Sequence, residues 1–188
     1  MTATNWCVIT GAPSSGKTTL VLALEKAGYP VVHEVARALI QFEMAQGRTL
    51  EQIRSDVKSF ENRILKAKVA VEAKLLKDEL IFFDRGIPDS IAYFEIAGLD
   101  PLPAIAKSPS NHYRKIFLLD PLFFKKDRVR IEGKETAVTL GRALEKSYKK
   151  LGYKVNRIAV MPTQERLRAV LEALGEKVLF SRPMPKNE

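Results

Sequence analysis

The chain is poor in several things, and each shortage removes a class of protein. It has one cysteine, Cys7. No internal disulfide can form, so the bridged framework of small secreted domains is excluded. Inside an apolar run, that lone thiol reads as a small core residue in a reducing compartment. No apolar run approaches the roughly eighteen residues that a bilayer-spanning helix needs. The first residues carry no secretory signal pattern, so the expected location is cytoplasmic. No internal repeat or low-complexity segment is visible, which removes solenoids and fibrous arrays.

What is present is ordinary for a globular protein: 188 residues, 46% apolar and 28% charged. That is enough chain for one domain with a real core, expected over residues 1–188 with a frayed tail at about 175–188. The net charge of +9 suits an anionic partner, whether a nucleotide, a phosphorylated metabolite, nucleic acid or an acidic surface. The densest basic block is Lys125, Lys126, Arg128, Arg130 and Lys134.

The strongest signal is "VITGAPSSGKTTL". Gly11, Ala12, Pro13, Ser14, Ser15, Gly16, Lys17 and Thr18 fit the Walker A pattern G-x-x-x-x-G-K-[ST] without mismatch. Phosphate oxygens must approach backbone N–H groups closely, so such a loop needs small residues at its bends. Lys17 would place a charge on the β- and γ-phosphates, and the Thr18 hydroxyl would bind Mg²⁺. A helix opening near Gly16 would aim its positive end at the ligand. The context agrees. Trp6-Cys7-Val8-Ile9-Thr10 is a β-rich run, Leu20 and Leu24 mark the apolar face of a following helix, and Gly28 is a natural stop.

Further strands are expected at Tyr29–Val32, Leu80–Asp84, Lys115–Asp120 and Val155–Val160. A helix is expected from about Val35 to Ala45. Thr49-Leu50-Glu51-Gln52 reads as a capping box opening a long helix, with Ile53, Val57, Phe60, Ile64, Ala67, Val71 and Leu75 as one apolar stripe. Strands apolar on both faces and alternating with helices predict an α/β fold, a three-layer open parallel sheet. Ligands of such sheets sit at the carboxyl ends of the strands. Glu34, Asp84 and Asp120 fall there together with the phosphate loop.

Asp84 ends a Walker B-like strand and would sit near Mg²⁺. Motor and unfoldase ATPases usually follow that aspartate with a glutamate that activates water; here Arg85 follows. Arginine is no base at neutral pH, but it can clamp a phosphate or hold an acceptor. Asp89 is either a cap near Pro88 or a substrate contact. Glu34 could take the proton of an attacking hydroxyl, with Arg37 one helical turn on; a plain ion pair between the two is the bland alternative. Arg128 and Arg130 are candidates for a closing lid over the migrating phosphoryl group, although a charge run is often only a solvated loop.

These motifs resemble those of the AAA_28, or NadR/Ttd14-like, P-loop ATPase/kinase family. The resemblance runs from "VITGAPSSGKTTL" through "GYPVVHEVAR", "FFDRGIPDSIAYFEIAGL", "YRKIFLLDP", "KKDRVR" and "YKKLGYKV" to "MPTQERL". It implies a P-loop NTPase fold of the nucleoside/nucleotide kinase type, and ATP or GTP with Mg²⁺. It implies that Gly11 to Thr19 hold phosphates, that Thr18 and Asp84 serve the metal, and that Glu34, Arg37, Arg85 and Asp89 face the acceptor. No adjoining adenylyltransferase domain is recognisable. The leading expectation is a phosphotransferase acting on a small-molecule hydroxyl, such as that of a nucleoside or a nicotinamide riboside-like acceptor, with Lys17, Glu34, Asp84, Arg85, Arg128 and Arg130 as the catalytic set. A nucleotide-dependent switch or slow NTPase with a protein or lipid partner is the alternative. It is weakened by the missing glutamate after Asp84 and by the absence of an Asn/Thr-Lys-x-Asp guanine-reading segment. A kinase for nucleic-acid ends is a third reading, weakened because no aromatics interleave the basic residues.

Overall fold

The computed structural model describes residues 3–108, 112–122 and 131–176, with the backbone only for 131–136. The lid candidates Arg128 and Arg130, and the tail from 177, lie outside the described residues.

Five strands form one parallel sheet: β1 (Cys7–Gly11), β2 (Val31–Val32), β3 (Phe82–Asp84), β4 (Lys115–Leu119) and β5 (Val155–Ile158), in the order β2-β3-β1-β4-β5. The helices are α1 (Lys17–Lys26), α2 (Val35–Ala45), α3 (Leu50–Arg54), α4 (Val57–Glu72), α5 (Asp89–Ile96), α6 (Leu102–Lys107), α7 (Ile131–Lys150) and α8 (Thr163–Leu174). Among the described residues, no helix is long and apolar enough to cross a membrane.

The period of two along a strand explains the layers. Cys7, Ile9, Phe82, Phe117 and Leu119 point to one face, where they meet Leu20, Val21 and Leu24 of α1 and Leu167, Val170 and Leu171 of α8. Trp6, Val8, Phe83 and Ile116 point to the other face, against Tyr148 of α7. On that side, Leu65 of α4 meets Ile91 and Phe94 of α5, while Ala92 and Leu118 pack on Leu140 and Leu144. Both faces are covered, so the central strands have no polar side. That is why β1, β3 and β4 read as continuous apolar runs.

The expected long helix after Thr49 is instead two. The Thr49–Gln52 capping box is present, but it opens only the short α3. At Asp56 a second cap intervenes, its side chain accepting from the Ser59 N–H at 2.9 Å. α4 then runs to Glu72, short of Leu75. The expected strands at Tyr29–Val32, Leu80–Asp84 and Val155–Val160 are shorter than their apolar runs, and α2 spans Val35–Ala45.

Candidate functional site

The phosphate loop lies where β1 turns into α1, at the carboxyl edge of the central strand. Its shape depends on residues with little or no side chain. Gly11 has φ 147°, and a Cβ there would stand 2.8 Å from the Leu119 carbonyl. Gly16 has φ 84° and would meet an Arg166 nitrogen at 3.0 Å. Only glycine takes both the left-handed backbone and the close approach without cost. Lys17 is the first residue of α1 and is buried. Its Nζ donates to the Ala12 carbonyl at 2.8 Å and lies 3.4 Å from Ser15 Oγ. Burial lowers its pKa to about 8; Arg85 acts in the same direction and Asp84 and Glu34 oppose it.

Asp84 closes β3, with 4% of its surface exposed. Its Oδ1 is buried and has no hydrogen-bond partner among the described residues. Burial raises its pKa, Glu34 adds to that, and Lys17 and Arg85 oppose it. A buried carboxylate oxygen with an open valence suits a hard cation. Among the described residues, no group of three or more His, Cys, Asp or Glu could hold a metal. Magnesium there would therefore need oxygens from a bound nucleotide, as it commonly does beside one or two carboxylates. Asp84 and the Thr18 hydroxyl, which lines the cavity described below, make a fitting donor set.

Arg85 is the hub. Its φ of 72° is left-handed, unusual for a residue with a side chain. The conformation is held by its own bonds. Its N–H donates to the Ile9 carbonyl at 3.1 Å. Nε donates to Glu34 at 3.0 Å. Nη1 donates to the Gly11 carbonyl at 3.1 Å and to Asp89 at 3.2 Å. The guanidinium also lies 5.3 Å from the Tyr93 ring centroid. Burial opposes its charge, but Tyr93, Asp89 and Glu34 outweigh burial and raise its pKa. Arg85 thus ties the phosphate loop to the end of β2.

Glu34 caps α2 by position only; its side chain makes no capping bond. One oxygen takes the Arg85 bond, and the other lies 3.7 Å from the exposed Arg37 guanidinium. Neighbouring His33 points elsewhere, to Glu25 at 3.2 Å.

Asp89, expected as a cap near Pro88 or as a substrate contact, is fully buried and does not line the cavity beside the loop. One carboxylate oxygen accepts from Thr10 at 2.5 Å and from Arg85. The other accepts from the Gly86 N–H at 3.0 Å and from the Tyr148 hydroxyl. Burial would raise its pKa, yet Lys68 and Arg85 win and lower it. All four of these bonds are internal, so Asp89 braces Arg85 from behind.

A cavity of about 770 Å³ opens beside the loop. It is lined by Pro13, Ser14 and Gly16 to Thr19 of the loop, together with Glu34, Arg37 and Arg85. Its wall also carries the apolar Ile40, Phe60, Ile64 and Tyr93 and the polar Gln41, Arg54, Glu61, Lys68 and Ser90. Phosphate seat and apolar chamber are therefore one space.

Three residues of the site were not among those the sequence singled out. Lys68 of α4 is buried at the cavity wall, and its Nζ donates to the Gly86 carbonyl at 2.9 Å and to Ser90 at 3.2 Å. Tyr148 of α7 reaches Asp89 from the far side. Arg166 of α8 donates to the Ser15 carbonyl of the loop at 2.6 Å. Each lies more than fifty residues from its partner or on a helix whose pattern shows only an apolar face. Two of the three stand in quoted stretches of the sequence, Tyr148 opening "YKKLGYKV" and Arg166 inside "MPTQERL".

Comparison with known proteins agrees with this geometry. The family model AAA_28, described as an AAA domain, matches residues 6–166, so the chain belongs to that family. No curated protein matches. Among solved structures, a NadR protein in complex with NR aligns with TM-score 0.65 at 19% identity, over 95% of this chain and 54% of that one. The chain thus spans about half the length of NadR. Thymidylate kinase from Ehrlichia chaffeensis aligns with TM-score 0.65 at 15% identity, over 93% of this chain and 100% of the other. Shikimate kinase from Aquifex aeolicus gives TM-score 0.55 at 17% identity, over 90% and 96%. At these identities the likeness is one of fold. The chain has the P-loop fold of the nucleoside and nucleotide kinases.

Proposed function

We propose that this AAA_28 member is a P-loop phosphotransferase. In this reading it moves the γ-phosphoryl group of ATP onto a hydroxyl of a small molecule, with a nucleoside-type acceptor fitting best. The observation that carries the proposal is the continuity of the cavity: the phosphate loop, Glu34 and Arg85, and a wall rich in apolar residues line one space. A pure NTPase needs no such chamber, and the volume lies within the range of small-molecule sites.

In this reading Gly11 to Thr19 hold the phosphates, and Thr18 with Asp84 hold Mg²⁺. The metal, when bound, neutralises charge on the phosphate oxygens. Lys17 and Arg85 add positive charge around the migrating group. Glu34 takes the acceptor's proton on the oxygen that Arg85 leaves free, and Arg37 steadies the acceptor. Transfer of this kind depends mostly on position and charge. The whole chain, residues 1–188, is proposed to act as one nucleotide-binding domain.

The test follows the γ-phosphate of ATP in the presence of Mg²⁺ with a panel of nucleosides, nicotinamide riboside, hydroxy acids and short oligonucleotides, and Lys17→Ala as control. Label on one acceptor identifies a kinase and its substrate. Release only as inorganic phosphate, whatever is added, overturns the proposal in favour of a slow NTPase.

A further inference from the structure

Arg166 stands on the side of the phosphate loop away from the acceptor chamber. The chamber is built from α2, α4 and α5, on the β2–β3 half of the sheet. Arg166 comes from α8, which follows β5 at the opposite edge. Arg166 is only 3% exposed. Nη1 donates to the Ser15 carbonyl at 2.6 Å, and the same nitrogen is 3.0 Å from where a Cβ on Gly16 would stand. Nε and Nη2 are buried without a hydrogen-bond partner among the described residues. Asp120 acts on Arg166 through charge, but its carboxylate already lies 3.4 Å from Arg157.

Among the described residues Arg166 has no paired anion, and a buried cation without one is costly to keep. Its one strong bond goes to the peptide unit whose N–H belongs to Gly16, the residue that caps α1. Donation to the Ser15 carbonyl polarises that peptide and strengthens the Gly16 N–H as a donor. The first N–H groups of a helix have no partner within it and face whatever anion the loop takes up.

We propose that Arg166 is a positioning residue for the phosphate loop. It fixes the left-handed turn at Gly16 through Ser15 and supplies from behind the loop a fixed positive charge that a bound polyphosphate would balance. It acts through the loop and not by reading the nucleoside. The inference rests on the reading of the loop as a phosphate site.

Its test uses inorganic tripolyphosphate with Mg²⁺ as the probe, beside a non-hydrolysable ATP analogue, on the full chain. Binding and melting temperature are measured for the unchanged protein, Arg166→Met and Arg166→Lys. Arg166→Met is expected to weaken tripolyphosphate and the analogue by the same factor, tenfold or more, while the melting temperature without ligand does not fall. Arg166→Lys keeps the charge but loses the fork, and its affinity falls between the two. If Arg166→Met does not fold, Arg166→Lys decides alone: tripolyphosphate affinity reduced threefold or more with an unchanged melting temperature supports the role, and unchanged affinity removes it. Tripolyphosphate binding to Arg166→Met within twofold of the unchanged protein overturns the inference, as does a loss confined to the analogue. If the unchanged protein binds neither probe, the phosphate-site reading fails and this inference with it. An indifferent variant of a binding protein sinks the Arg166 role alone.

Discussion

Nucleotide binding should take up a proton at mildly alkaline pH, and Lys17 should be the group that takes it. Burial and the nearby Arg85 guanidinium hold its pKa at about 8. A polyphosphate laid against Nζ favours the charged form and returns the pKa to about 10.5 or above. The sign follows: the free protein loses this proton as pH rises through 8, and the complex keeps it, so binding draws a proton from buffer. Uptake should be about 0.1 proton at pH 7, about 0.5 at pH 8 and about 0.9 at pH 9, with affinity falling about twofold at pH 8 and about tenfold at pH 9 relative to neutral conditions. Cys7 and Tyr93, each pushed up to about 12 by burial, stay out of this window. Calorimetry of a non-hydrolysable ATP analogue with Mg²⁺, in pairs of buffers that differ in ionisation enthalpy, reads the uptake directly. Lys17→Met should abolish the pH-dependent part. Zero uptake at pH 9, or equal uptake in Lys17→Met, would refute the assignment of the proton to this amine.

Three further outcomes are expected. Glu34→Gln should lower acceptor phosphorylation by roughly 10²- to 10⁴-fold while nucleotide affinity changes little; full transfer in single-turnover assays would remove Glu34 as the base. Asp84→Asn should leave the fold intact, since its buried Oδ1 makes no hydrogen bond among the described residues. It should also raise the Mg²⁺ concentration needed for half-maximal transfer, read from a magnesium titration at fixed ATP. Glu72 should make the protein less stable as pH rises. Burial raises its carboxyl from 4.5 to about 7, against the Tyr113 hydroxyl at 2.5 Å. The folded state therefore holds a proton that the unfolded chain has lost between those values. Stability should fall by up to about 3 kcal/mol from pH 4.5 to above pH 7, and Glu72→Gln should flatten that slope in urea unfolding followed across pH.

What could be read from the sequence was what is local. The Walker A spacing marks a loop whose glycines do what the pattern requires, with φ 147° at Gly11 and φ 84° at Gly16. The apolar runs Trp6–Thr10, Leu80–Asp84 and Lys115–Asp120 marked the central strands because burial on both faces leaves no polar alternation. The α3–α4 break was missed although its signal was present. The apolar stripe continues through Ile53, Val57 and Phe60, and periodicity alone does not register a cap. The Asp56 side chain, set three residues before Ser59, ends one helix and starts the next.

Asp89 shows why the rest was hidden. In the sequence it is an acid near a phosphate loop, a position equally suited to meeting a ligand or capping a helix. Its role was fixed by partners the sequence places far away: Thr10 on β1 and Tyr148 on α7, with Lys68 on α4 contributing charge. Only the strand order, with β1 between β3 and β4, brings these together, and no spacing in the sequence links the three to Asp89. The consequence is mechanical. A fully buried carboxylate with four donors cannot turn toward a substrate without leaving those donors unpaired, at about 1–3 kcal/mol each. Asp89 therefore keeps its geometry whatever occupies the cavity, and Arg85, bonded to it and to the Gly11 carbonyl, keeps its own. The left-handed backbone at Arg85 is the local cost of that arrangement. What it secures is a guanidinium already in place between the phosphate loop and Glu34, so that in the proposed transfer no side chain would have to be reorganised at the moment charge moves.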